Sequence, residues 1–249
     1  QDTMLSNKAV GAFIVIGGAG GIGSAVARRL RSRHATVLIA GRTQDRLEAA
    51  ASALGTEWAV VDATDFAAVD ALVQRAADQH GRVAGIVNAA GSILFKPAHL
   101  TSSDEWQDVL ARNLTTAFAV VRAAGRVMTG GGSVVLVSTV AASLGLPQHE
   151  AIAAAKGGVE GLVRAAAASY AGRGLRINAV APGLVDTPLA ARITSNPKAL
   201  ESSRARHPLG RIGTPDDIAA PIEWLLDPAT SWMTGQVIGV DGGMSTVRL

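Results

Sequence analysis

The chain has 249 residues, of which 48% are hydrophobic and 17% charged, enough apolar material for one large α/β domain or two small ones. It contains no cysteine, so disulfides, thiolate catalysis and cysteine-ligated zinc are excluded. The net charge is +3 and the pI about 9.8, but the basic residues are scattered rather than gathered into a stripe, which argues against a nucleic-acid partner.

In chain order, Gln1–Lys8 is polar and lacks a charged-then-apolar signal pattern. No apolar run reaches the roughly 18 residues of a membrane span. The expectation is a cytoplasmic protein with no membrane partner. Phe13–Ile16 is a β-branched run that enters a glycine cluster, and Ser24–Arg33 then reads as a helix. Arg28, Arg29, Arg31 and Arg33 cluster on that helix and read as a solvated face. Strand-like runs then alternate with helical ones. Thr36–Ala40 precedes Gln44–Leu54, Glu57–Val61 precedes Phe66–His80, and Val83–Val87 precedes Ser103–Met128. Gly132–Val137 precedes Glu150–Tyr170, and Leu175–Val180 leads through irregular sequence to a helix at Asp216–Leu226 and a last strand at Gln236–Val240. Strands apolar on both faces and separated by helices predict a parallel sheet covered on both sides. With right-handed crossovers this is a doubly wound Rossmann fold. No linker composition divides the chain, so residues 1–249 are expected to form a single domain.

The glycine cluster fits two spacings: Gly18, Gly20 and Gly23, or Gly17, Gly21 and Gly23. Glycines between a strand and a helix let the backbone approach a pyrophosphate, and the helix start supplies free N–H groups and a positive dipole end. The second strand ends in Gly41-Arg42-Thr43, where an NAD site carries Asp or Glu for the ribose 2′-hydroxyl. A guanidinium there suits a 2′-phosphate, so NADP(H) is expected over NAD(H).

Taken together, these motifs resemble the short-chain dehydrogenase/reductase family over nearly the whole chain. Gly17, Gly21 and Gly23, with Gly20 and Ile22 between them, look like its cofactor loop. Asp62-Ala63 stands where the family sets an Asp against adenine, and Asn88-Ala89-Ala90-Gly91 resembles its Asn-Asn-Ala-Gly turn. Asn113 matches the helix asparagine of the proton relay. Pro182-Gly183-Leu184-Val185-Asp186-Thr187 is similar to the nicotinamide-side loop, in which Val185 and Thr187 would hold the carboxamide. The resemblance implies a small-molecule substrate, a lid at about 188–208, and a homo-oligomer, tetramer or dimer. Leu94, Leu146 and Trp232 are candidates for the pocket wall.

The catalytic set departs from the family. Lys156 is present, but Thr139 stands at the Ser position and Ile152 at the Tyr position. The chain's one tyrosine, Tyr170, lies 14 residues beyond Lys156, roughly 20 Å along a helix. In the family that phenol moves the alcohol–carbonyl proton and a nearby Lys⁺ favours its ionised form. Isoleucine has no proton to give. Lys156 would still hold the nicotinamide ribose. His149 shares a helix face with Ile152 and is the candidate replacement donor, with Thr139 or water as the others. His34, His80, His99 and His207 have no motif company and read as surface or loop residues, and no cluster has metal-ligand spacing. Three readings follow: an NADP(H)-dependent oxidoreductase acting on an alcohol or carbonyl with an atypical donor; a weakly active or inactive NADP(H)-binding protein serving as a sensor or partner subunit; or an enzyme whose chemistry does not need the tyrosine.

Overall fold

In the computed structural model, which describes residues 11–248, the apolar runs form seven parallel strands in one sheet. These are β1 (Ala12–Ile16), β2 (Thr36–Gly41), β3 (Glu57–Val60), β4 (Val83–Asn88), β5 (Gly132–Val137), β6 (Leu175–Pro182) and β7 (Val237–Val240). Their spatial order is β3-β2-β1-β4-β5-β6-β7. The polar segment Gln1–Lys8 lies outside the described residues.

Strand side chains alternate between faces, so each strand feeds two cores. From β1, Ile14 and Ile16 join a core with β4 and β5 residues beneath α3 (Phe66–His80), α5 (Thr116–Val127) and α6 (Glu150–Tyr170). Phe13 and Val15 point the other way and pack under α1 (Gly21–Ser32), α2 (Gln44–Leu54) and α9 (Pro215–Leu226). All five β1 residues are buried, which is why this strand reads as continuously apolar rather than alternating.

Most element boundaries lie within two residues of the sequence expectation. The first helix begins earlier than expected, at Gly21, because the glycines themselves form its first turn. The predicted helix Ser103–Met128 is broken. It runs as α4 (Ser103–Leu110), a π-helical turn at Ala111–Thr115, and α5. The Asn113 side chain donates from Nδ2 to the Val109 carbonyl at 2.9 Å, and Thr116 Oγ1 donates to the Arg112 carbonyl at 3.1 Å. Side-chain donors thus occupy carbonyls within the turn, and the ladder widens locally. The irregular segment before α9 folds into α7 (Ala191–Thr194) and α8 (Pro197–Ala205), the latter capped by the Asn196 side chain.

The arginine cluster on α1 is not simply a solvated face. Arg29 Nε pairs with Glu223 Oε2 at 2.5 Å, Arg33 pairs with the other oxygen of the same carboxylate, and Arg28 pairs with Asp216 at 2.6 Å. The helix surface folds against α9, and the Glu223 carboxylate is buried between two arginines. No described helix is long and apolar enough to cross a membrane.

Removing one partner of a buried charge pair leaves the rest poorly solvated. Glu223→Gln is therefore expected to lower stability by about 1–3 kcal/mol, less than for a fully buried triad because both arginines reach solvent. Urea unfolding checks this, and an unchanged midpoint would mean that the α1–α9 contact is held by its apolar residues alone.

Candidate active site

Between β1 and β4 the strand order reverses. The loops leaving their carboxyl ends splay apart and open a crevice. The β1 loop begins at Gly17, whose φ of +78° favours glycine, and its Cα faces the Ala89–Ala90 peptide so closely that a Cβ would lie 2.7 Å from it. A Cβ at Gly23 would collide with the Gly17 carbonyl oxygen. That close approach folds the loop back over the start of α1, and Gly20 N–H closes it on the Gly17 carbonyl at 2.9 Å. The first turn of α1 carries no acidic residue, so its N–H groups and dipole face the crevice without a built-in counter-charge.

The crevice is a cleft of about 420 Å³ walled by Gly17, Gly20, Gly21, Ile22 and Gly23 on one side and by Arg42, Arg46, Asp62 and Ala63 on the other. Arg42 has no ion-pair partner among the described residues, so the pairing with Asp45 that its neighbourhood allows does not form. Arg46, from the first turn of α2, donates to the Ala19 carbonyl at 3.1 Å and adds a second cation that the motif reading did not single out. Asp62 Oδ1 accepts the Thr64 N–H at 2.9 Å and hydroxyl at 2.8 Å. Those bonds, with Arg42 and Arg112 nearby, hold its carboxyl below the usual range.

At the end of β4, Asn88 Oδ1 accepts the Ala90 N–H at 3.1 Å and Nδ2 donates to Thr116 Oγ1 at 3.2 Å. The turn Asn88–Gly91 is thereby tied to α5. Ala89 N–H donates to the Ile16 carbonyl at 2.9 Å, joining it to β1. Asn113 Oδ1 accepts the Ser92 N–H at 3.3 Å, and its Nδ2 also reaches Ser92 Oγ at 3.1 Å.

Beyond this turn lies a second, largely apolar cavity of about 510 Å³ whose wall includes Asn113, Thr139, His149, Ile152, Lys156, Pro182, Gly183, Val185 and Thr187. Lys156 is buried, and its Nζ donates to the Val137 carbonyl at 2.6 Å. Burial pushes its ammonium down to about 8. One turn earlier on α6, Ile152 is 5% exposed and packs with Val109, Ala151 and Ala155. Thr139 Oγ1 accepts the Ala141 N–H at 3.3 Å and reaches the Pro182 carbonyl at 3.4 Å. His149 packs against Phe95 in a tilted arrangement, ring centroids 4.7 Å apart, and its Nδ1 lies 2.7 Å from the Pro147 carbonyl. The 182–187 loop is pinned by Gly213, which donates to Leu184 O at 2.8 Å and accepts Asp186 N–H at 2.9 Å.

Several individual expectations change. His207 is not a surface residue. It is 3% exposed, its Nδ1 lies 2.6 Å from the Ser203 carbonyl, and its Nε2 accepts the Leu184 N–H at 3.2 Å. It anchors the 182–187 loop to the end of α8, a contact across 23 residues that no local spacing signals. His80 is also sheltered, within 3.4 Å of Glu57. Leu146 lines the cavity, Leu94 packs beside the Ile152 cluster, and Trp232 is 98% exposed and stands away from both. Tyr170 packs against Gly125, where α5 meets α6, with Arg173 over its ring at 5.6 Å. Among the described residues no group of three or more His, Asp or Glu side chains is placed to hold a metal ion.

A family model described as enoyl-(acyl carrier protein) reductase matches residues 17–245. The chain is 37% identical over 242 residues to cis-4-hydroxycyclohexanecarboxylate dehydrogenase of Sinomonas cyclohexanicum, covering 94% of this chain and 96% of that one. It is 37% identical over 230 residues to a protein of Xanthobacter autotrophicus named inactive 2-(S)-hydroxypropyl-CoM dehydrogenase 2, covering 89% of this chain and all of that one. A solved structure of a variant actinorhodin polyketide ketoreductase with NADPH superposes with a TM-score of 0.91 at 27% identity, covering 98% of this chain and 100% of that one. With this fold, these motifs and these relatives, the chain belongs to the short-chain dehydrogenase/reductase family of oxidoreductases.

Proposed function

We propose that the protein is an NADP(H)-dependent oxidoreductase that interconverts an alcohol and a carbonyl on a small molecule, with a proton donor other than tyrosine. The observation that carries this reading is a shared wall. Ile22, Ala89, Ala90, Gly91, Thr187 and Leu189 line both the glycine-rich cleft and the apolar cavity, so a dinucleotide site and a substrate site open into each other. In this reading Gly17, Gly20, Gly21, Ile22 and Gly23 hold the pyrophosphate, Asp62 and Ala63 the adenine, and Arg42 with Arg46 a 2′-phosphate. Asn88, Ala89, Gly91, Lys156, Pro182, Gly183, Val185 and Thr187 hold the nicotinamide half. The cofactor, when bound, supplies or accepts the hydride.

The chain's own residues supply position and protons. Thr139 Oγ1 orients the substrate oxygen, and its present bonds of 3.3–3.4 Å are long enough to be exchanged for a substrate bond. Lys156 holds a positive charge near that oxygen. Ile152 can neither give nor take a proton. A carbonyl only accepts, so His149 must carry its ring hydrogen on Nδ1 toward Pro147. Its Nε2 is then the atom left to take up or hand on a proton at the cavity wall. Losing a positioned acid typically costs about 10²–10⁴-fold, so turnover is expected to be slow and to rest on proximity. Segment 188–208 acts as a lid, lending Ile193, Ala199, Ser202 and Ser203 to the cavity.

A second reading is a cofactor-binding protein with little turnover. Ile152 favours it, as does the relative whose name marks it as inactive. One experiment separates the two: NADPH oxidation screened with ketones, aldehydes, quinones and activated enones, alongside NADPH binding by fluorescence. Binding with no turnover on any class selects the second reading.

The first reading makes three predictions. NADPH should bind roughly tenfold or more tightly than NADH, and Arg42→Ala should abolish most of that preference, since a charged hydrogen bond to phosphate is worth about 1.5–3 kcal/mol. Equal affinities in the wild type would assign Arg42 to solvent. Ile152→Tyr should raise ketone reduction by at least about tenfold, and His149→Gln should slow the parent and flatten its pH profile. A restored tyrosine with no gain would mean that the pocket no longer presents a carbonyl to that position. The third concerns Lys156, whose ammonium is pushed from 10.5 to about 8 in the native state. Between those pH values the unfolded chain binds the proton and the native chain does not, so stability rises with pH there, and below about pH 8 the folded protein carries the full penalty. Relative to Lys156→Met, the wild type should gain about 2–3 kcal/mol between pH 8 and 10.5. Urea unfolding of the cofactor-free proteins reads this, and a pH-independent difference would rule out the lowered value.

A further inference from the structure

We propose that the substrate of this site is an apolar molecule bearing a carboxylate, and that Arg206 binds the carboxylate at the lid side of the cavity. The proposal rests on the oxidoreductase reading of the same site and adds the substrate class. It starts from the charges on the cavity wall. Among the described residues lining the cavity, Lys156 and Arg206 are the cationic side chains, and none is aspartate or glutamate. The two cations are differently placed. Lys156 donates to the Val137 carbonyl at 2.6 Å at the base of the sheet loops. Arg206 follows α8 on the lid and has only the Ser202 hydroxyl as a side-chain partner, at 3.4 Å. No carboxylate pairs with it among the described residues, so its guanidinium is available to an anion in the cavity.

The wall is otherwise largely apolar, with Leu146, Leu189, Ile193, Ala199 and Met244 among its residues. The neighbouring histidine does not compete for an anion, because His207 Nε2 already accepts the Leu184 N–H. The lid as a whole carries Arg192, Lys198, Arg204 and Arg206 against the single acid Glu201, a net positive segment. An occupant matching this wall has an apolar body and one anion on the lid side. A planar fork of guanidinium donors fits a carboxylate in two-point contact, with the Ser202 hydroxyl beside it.

The test uses matched ketones with and without the charge: para-acetylbenzoate against its methyl ester, and levulinate against methyl levulinate. With saturating NADPH, each acid should show a KM at least about tenfold below that of its ester, with similar kcat, which is the signature of uniform binding. Calorimetric titration of the same four compounds into protein with and without NADPH should show the same preference without requiring turnover. Arg206→Gln should bring the acid-to-ester ratio close to one. Arg192→Gln and Arg204→Gln, on the lid but outside the cavity wall, should keep most of it. Equal binding of acid and ester, no binding of either acid, or a ratio unaffected by Arg206→Gln would overturn the proposal. Preferred binding of the acids with no turnover of any compound would uphold the carboxylate site and count against the oxidoreductase reading.

Discussion

The reversal of strand order between β1 and β4 is the constraint on which the rest of the molecule depends. A parallel strand buried on both faces can continue only into a loop at its carboxyl edge. At this one place neighbouring loops are carried in opposite directions, leaving a gap that backbone alone does not fill. Each feature of the candidate site hangs from that edge. The glycine loop follows β1, Arg42 follows β2, Asp62 follows β3 and the Asn88 turn follows β4. Thr139 follows β5 and the 182–187 loop follows β6. The strands beneath these loops are fixed by two separate cores, so the edge itself is set independently of what each loop carries.

Lys156 shows what a change of side chain at this edge does. An ammonium has three donors, and the protein satisfies one of them with the Val137 carbonyl. The two others face a cavity in which Ile152 offers no acceptor. A tyrosine one turn away would receive the lysine's field and convert it into acidity. Here the same field acts on whatever enters the cavity. Isoleucine is meanwhile comfortable, since its side chain packs with Val109 and Ala155 and burying such a chain contributes about 1.5–3 kcal/mol. Isoleucine at this position is thus accommodated by packing, and in the reading proposed above its consequence is for the handling of a proton.

What was legible in the sequence was what depends on neighbours along the chain. Gly17 and Gly23 announce a loop because only glycine tolerates the positive φ and the close carbonyl they meet, and a strand before and a helix after complete the pattern. The same holds for the run of strands and helices, whose continuous apolar strands and one-sided helices appear in the burial of β1 and α1. The break at Ala111–Thr115 was not legible as a boundary, because it depends on which carbonyl the Asn113 side chain selects. The arginines of α1 read as a solvated face because their partner, Glu223, lies about 190 residues away in α9. His207 was missed for the same reason, as its ring is defined by Leu184 and Ser203 rather than by any motif.

This division follows from how the two halves of the site are built. The dinucleotide half is made largely of backbone: N–H groups at a helix start, a turn held by Asn88, and a loop pinned by Gly213. Backbone geometry restricts many positions at once, so it leaves a dense trace in sequence. Ile152, by contrast, is one side chain on an otherwise ordinary helix face, packed with Val109 and Ala155. Likeness across the whole chain is therefore strong testimony about what the crevice is shaped to hold and weak testimony about reaction rate. In the oxidoreductase reading proposed above, hydride transfer needs only proximity, but the accompanying proton needs a carrier, and Ile152 cannot be one.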